Sequence, residues 1–135
     1  MFQDEVEKVE LPAIEQLTRL GWTYVPGVEL APVLPVDGSP AGERNYYRDV
    51  VLAKRLEAAL LRLNPWISSE NLRKVIREFT HPNHAALMEY NHSIYDLLVN
   101  YLSVEQDLGA GRKGQTVKVI DFDNPESNEF LCTNQ

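Results

Sequence analysis

Gln115-Thr116-Val117-Lys118-Val119-Ile120-Asp121-Phe122 is the stretch on which the fold class turns, because apolar and polar side chains alternate along it as on a half-buried strand. Asp123-Asn124-Pro125 follows with turn chemistry, and Asn128-Glu129-Phe130-Leu131-Cys132-Thr133-Asn134-Gln135 begins a second strand. Two adjacent strands need a third strand or a helix to be stable. The expected third element lies beyond residue 135.

Working back from these strands, the chain reads as helical. Over residues 4–20, Val6, Val9, Ala13, Ile14, Leu17 and Leu20 form one stripe, with Glu5, Glu7, Lys8, Glu15 and Gln16 outside it. Pro12 interrupts the stripe without ending it, which predicts a kinked helix. Gly21 is the expected stop, and Trp22-Thr23-Tyr24-Val25 reads as a short strand. Residues 26–45, with Asp37-Gly38-Ser39-Pro40 at their centre, read as a long surface loop or short hairpin. Three helices are predicted next. Residues 47–63 present Val51, Leu52, Leu56, Ala59, Leu60 and Leu63 on one face and end at Asn64-Pro65. Ser68 or Ser69 caps a second helix carrying Leu72, Val75, Ile76 and Phe79, broken at His81-Pro82. Residues 84–102 form the third. Gly109-Ala110-Gly111-Arg112-Lys113-Gly114 then turns into the strands. Helices grouped as an insertion between strands indicate an α/β or α+β fold rather than a bundle.

At 135 residues the chain has room for one domain with a real core. A formal net charge of −7 argues against autonomous nucleic-acid binding, although other domains can supply a cationic surface. Cys132 is the single cysteine and cannot form an internal disulfide, so it reads as a small strand residue in a reducing cytoplasm. No apolar run approaches the roughly 18 residues that span a bilayer, and residues 1–10 are too acidic for a signal peptide. The expectation is a soluble, cytoplasmic protein without membrane partners.

Few residues can carry chemistry. His84 and His92 would stand about 12 Å apart along one helix, too far to share an ion, and His81 adjoins a helix-breaking proline. Surface or interface histidines are the preferred reading. Asp121 and Asp123 would share one face of a strand and could pair on a divalent metal, but turn formation and capping are favoured. Glu7 and Glu10, three apart on the first helix, share a face and suit its N-terminal dipole. Arg44, Arg48, Arg112 and Lys113 flank the glycine-rich loops and read as solvated charges. Gly109 to Gly114 lacks the full phosphate-loop pattern.

Several blocks, taken in order, resemble one family. Val9-Glu10, Ile14 to Leu17 and Leu20-Gly21-Trp22 are similar to its opening helix. Arg48-Asp49-Val50-Val51-Leu52, Arg55-Leu56, Ala58-Ala59-Leu60 and Leu63-Asn64-Pro65 are similar to its second block. Asn91, Leu97-Leu98 and Val104-Glu105 match its long helix and the exit from it. Ile120-Asp121-Phe122-Asp123-Asn124-Pro125-Glu126, Asn128 and Asn134-Gln135 are the most specific. The family is the amino-terminal nuclease region of the R subunit of type I restriction–modification enzymes. The resemblance implies a partial PD-(D/E)xK nuclease-like sheet within residues 1–135, with a first helix and strand (4–25), a helical insertion (46–103) and sheet strands (115–135). It implies that the main catalytic Asp and Glu-x-Lys follow the Asn-Gln block, and neither is in this sequence. Glu10 alone matches a position that the fold often uses near the metal, as an auxiliary metal or water contact.

The expected function is therefore that of an R-subunit fragment. The full-length protein is expected to cut double-stranded DNA after ATP-driven translocation, with Mg2+ and ATP, in a complex with modification and specificity subunits that uses S-adenosylmethionine. The fragment alone is expected to be inactive, and its last strand, lacking partners, is expected to self-associate edge to edge or fray. The rival reading is a small non-catalytic adaptor binding protein through the helical insertion, favoured if the gene ends at Gln135.

Overall fold

The computed structural model describes residues 2–32, 43–44, 46–81 and 86–134. The fold is mixed, with helices and small sheets, in two compact units: Met1–Val50 with Glu129–Gln135, and Val51–Asn128.

The first unit opens on a single helical run. α1 (Phe2–Glu5) passes through a π turn (Val6–Glu10) into α2 (Leu11–Arg19). Pro12 has no N–H to return to the ladder, and Leu11 N–H bonds the Val6 carbonyl, one residue further back than in an α-helix. The run thus continues through Pro12, as the apolar stripe predicts, by widening one turn. Gly21 at φ +95° ends it: its N–H reaches the Thr18 carbonyl at 3.1 Å and Trp22 N–H reaches Leu17 at 3.0 Å, a Schellman arrangement. β1 (Thr23–Val25) and the single-turn α3 (Gly27–Leu30) follow. β4 (Leu131–Thr133) pairs with β1 in parallel, Thr23 opposite Leu131 and Val25 opposite Thr133. Thr23 N–H donates to the Phe130 carbonyl at 2.8 Å, and the Trp22 and Phe130 rings lie 5.2 Å apart. α2 packs on both strands.

The second unit comprises α4 (Ala53–Leu63), α5 (Ser69–Thr80), α6 (Leu87–Asn100), an antiparallel hairpin of β2 (Leu102–Asp107) and β3 (Arg112–Val117), and a 3-10 turn at Pro125–Ser127. Ser68 caps α5, its hydroxyl accepting Asn71 N–H at 3.2 Å. The core joins Leu60, Ile67, Leu72, Val75, Phe79 and Val117, with Ile94, Leu97 and Leu98 of α6 packed against it.

Five expectations change. The first of the three predicted helices starts at Ala53, not residue 47, because Asp49 turns back to accept Tyr46 N–H at 3.0 Å and holds residues 46–49 in a turn. The third ends at Asn100 rather than residue 102, and the six residues after Tyr101 form a strand. The strand expected over residues 115–122 lies instead at Arg112–Val117. It starts early because Asp107 Oδ1 accepts Gly109 N–H at 2.7 Å and Gly111 N–H at 3.2 Å, closing a hairpin turn with both glycines at positive φ. It stops early because the Asn64 amide takes both the N–H (2.9 Å) and the C=O (2.8 Å) of Lys118. The two strands read as neighbours consequently belong to different sheets, and the last pairs with β1 along one edge. The predicted loop 26–45 includes α3, and its residues 33–42 and 45 lie outside the described residues.

Candidate functional site

Glu10 closes the π turn and is half-buried, whereas Glu7 is exposed and its carboxylate accepts Gln3 Nε2 at 3.5 Å. Three-residue spacing places side chains together on a regular α-helix. Here both lie in the π turn, whose spacing is wider than that of a regular α-helix. Among the described residues, no group of three or more His, Cys, Asp or Glu side chains is placed to hold a metal ion.

Asp121 and Asp123 do not stand on a strand. Asp121 Oδ1 accepts the N–H groups of Asp123 and Asn124, each at 3.1 Å, and so builds the turn itself. Asn128 clasps it from the other side: its Oδ1 accepts Asp121 N–H and its Nδ2 donates to the Asp121 carbonyl, both at 2.8 Å. The Asn124 N–H above all holds the Asp121 carboxyl below its ordinary value. Burial opposes that shift, and the Lys118 ammonium, 3.8 Å away, and the Asp123 N–H reinforce it. Lys118 also reaches Asp123 at 3.9 Å. This is the turn-forming alternative of the sequence reading.

Of the histidines, His81 Nδ1 lies 2.9 Å from the Thr80 hydroxyl and exposed His92 lies 3.4 Å from Asp96. His84 is outside the described residues. The four cations of the glycine-rich regions separate in character. Arg112 pairs with Glu105 at 3.2 Å, Arg48 lies over the Tyr46 ring at 4.9 Å, and Lys113 is exposed. Arg44 is not a solvated charge as expected: it is half-buried, and its Nε is enclosed without a hydrogen-bond partner among the described residues.

Two residues escaped sequence reasoning. Asn134 Oδ1 accepts the Tyr24 hydroxyl at 2.9 Å and Gly27 N–H at 3.1 Å, fastening the end of β4 to the turn after β1. Its only signal was its place in the quoted Asn-Gln block. Tyr101, at φ 64° and ψ 167°, occupies a backbone region that non-glycine residues rarely enter, and its ring lies 6.2 Å from Phe122. It borders a cleft of about 540 Å³ that Lys74, Glu78, Glu105 and Arg112 also line. Nothing in the period of the sequence marks that strain.

The family model described as Type I restriction enzyme R protein N terminus matches residues 2–135. The chain belongs to that family. It is similar to a putative type I restriction enzyme MjaIXP endonuclease subunit of Methanocaldococcus jannaschii, 35% identical over 127 residues, which cover 94% of this chain and 12% of the relative. It is also similar to the type I restriction enzyme HindI endonuclease subunit of Haemophilus influenzae, 27% identical over 131 residues, again 94% of this chain and 12% of the relative. The chain thus spans about an eighth of the length of these relatives. No solved structure matches it. Among the described residues of this R-protein N terminus, no helix is long and apolar enough to cross a membrane.

Proposed function

We propose that this chain is part of the nuclease region of an R subunit that cuts foreign double-stranded DNA after ATP-dependent translocation, in complex with modification and specificity subunits. The observation that carries the reading is the family match, which runs through every described element from α1 to β4. The reading includes a PD-(D/E)xK-type sheet, cytoplasmic location, and a working complex that uses Mg2+, ATP and S-adenosylmethionine. The reading assigns the main catalytic Asp and Glu-x-Lys, which are not in this sequence, to the rest of the full-length protein. Alongside them Glu10 serves as the auxiliary acidic group. Its half-buried position at the end of the π turn, a distortion that recurs at functional sites, supports that role over the exposed Glu7.

The test is made in a full-length R subunit carrying this region. Glu10→Ala is expected to reduce DNA cleavage about a hundredfold, the scale of a lost acid–base or water-positioning group, while ATP hydrolysis persists. Glu7→Ala is expected to leave cleavage near the parent. The 135-residue chain alone is expected not to nick plasmid DNA with magnesium. Wild-type cleavage by Glu10→Ala returns Glu10 to an ordinary helix residue, and metal-dependent nicking by the pure chain overturns the assignment of the main catalytic groups elsewhere.

A further inference from the structure

A cavity of about 360 Å³ in the first unit is lined by Gly27, Val28, Leu30 and Ala31 of the α3 region, by Arg44 and Tyr47, and by Thr133 and Asn134 at the end of β4. Its described lining contains one cation, Arg44, and no Asp or Glu. Arg44 Nε is enclosed and makes no hydrogen bond to the described residues. Guanidinium groups remain charged at every working pH, and enclosed charged donors in folded proteins are paired. The partner is therefore missing from the described part of the wall. One water could accept from Nε, but the space is roughly ten times the 30 Å³ share of a water molecule and leaves the positive charge unneutralised.

We propose that this cavity is a binding site for a phosphate-class oxyanion, with Arg44 as the charged anchor. Arg44 offers its fork of N–H donors to two oxygens at once. Asn134 contributes as well: its Oδ1 is committed to Tyr24 and Gly27, which fixes the amide and leaves the Nδ2 donors unused among the described residues. Tyr47 also lines the wall and carries a hydroxyl, whereas the Thr133 hydroxyl donates to the Asn134 carbonyl at 3.4 Å. Three donor-bearing side chains, Arg44, Asn134 and Tyr47, suit a tetrahedral group with several acceptor oxygens better than a carboxylate with two. The apolar side of the cavity, Val28, Leu30 and Ala31, lowers the local dielectric and strengthens the contact. The same chemistry is carried by inorganic phosphate and by the phosphodiester of a nucleic-acid backbone.

The test is a titration of the 135-residue chain with inorganic phosphate at constant ionic strength, following the Arg44 Nε–H resonance. The expected result is a saturable shift with slowed exchange of that proton in the parent chain; followed at the Asn134 side-chain amide resonances, binding is retained at lower affinity in Arg44→Lys and weakened about tenfold or more in Arg44→Gln. Far-ultraviolet circular dichroism of each variant reports its folding, and Asn134→Ser gives a second, uncharged perturbation expected to weaken binding less. Acetate at the same concentration is expected to leave the resonance unmoved. A short DNA duplex separates the sources: displacement of bound phosphate assigns the site to a backbone phosphodiester, and its absence assigns it to a free oxyanion. An Arg44 Nε–H that does not respond to phosphate, or responds equally to acetate, overturns the proposal whether or not the nuclease reading stands.

Discussion

Asn64 and Asn71 each turn a side-chain amide onto the backbone of a neighbouring segment of the second unit. Asn64, 1% exposed, donates from Nδ2 to the Leu60 and Lys118 carbonyls and accepts Lys118 N–H, so one residue caps α4 and ends β3. Asn71 Nδ2 donates to the Glu105 carbonyl and to Gln106 Oε1, while Gln106 Nε2 donates to the Trp66 carbonyl. Asn64→Ala is expected to cost roughly 1–3 kcal/mol for each buried backbone group it leaves unpaired, read as a lower urea midpoint. Asp121 makes a pH-dependent contribution. Its folded carboxyl titrates below its ordinary value, so its stabilisation is full above the ordinary carboxylate range and is lost as pH falls through the folded value. Carboxyl carbon resonances should place its titration below that of exposed aspartates, and Asp121→Asn should flatten the acid limb of the stability curve. A normal titration midpoint would contradict the turn geometry. Sequence periodicity is silent on all of this, because a bridging amide leaves no repeat. The turn role of Asp121 was legible only through the neighbouring Asn124-Pro125.

At the scale of elements, existence was easier to read than extent. The stripe through Val6, Val9, Ile14 and Leu17 predicts a helix that tolerates Pro12, and the run does pass through it by way of a π turn. Leu102-Ser103-Val104-Glu105-Gln106-Asp107 alternates in burial along β2, a period-two signal that the preceding helical phase had obscured. The boundary belongs to Tyr101, whose positive φ ends α6 abruptly. Gly21 stops α2 as its residue type predicts, and open space surrounds the position where a Cβ would stand. The strain there is conformational alone. Gly21→Ala is therefore expected to destabilise by about 1–2 kcal/mol through the left-handed backbone, with Gly21→Asn less costly. Equal urea midpoints for Gly21→Ala and the parent would show that Gly21 does not keep this conformation in solution.

For the whole molecule, the segment Glu129–Gln135 belongs with Met1–Val50 although Val51–Asn128 intervenes in sequence. Among the described residues, β1 obtains its strand partner from that returning segment. Deleting residues 129–135 is expected to expose the β1 and α2 amides to rapid hydrogen exchange while the β2–β3 hairpin and α5 keep their protection. Uniform loss across both units would indicate a single cooperative unit instead. Edge pairing of the two-stranded β1–β4 sheet with a second copy remains a proposal, checked by light scattering across concentration. By itself the sequence determined the mixed α/β class, the helical stripes, the Gly21 stop, and, through its ordered motif blocks, the family. These are local or co-linear properties, carried by side-chain period and residue order. Tertiary structure decided which strands pair, where β3 ends, and that Arg44 is enclosed. Each of those depends on contacts between residues far apart in the chain, and the period of any single segment holds no record of its distant partner.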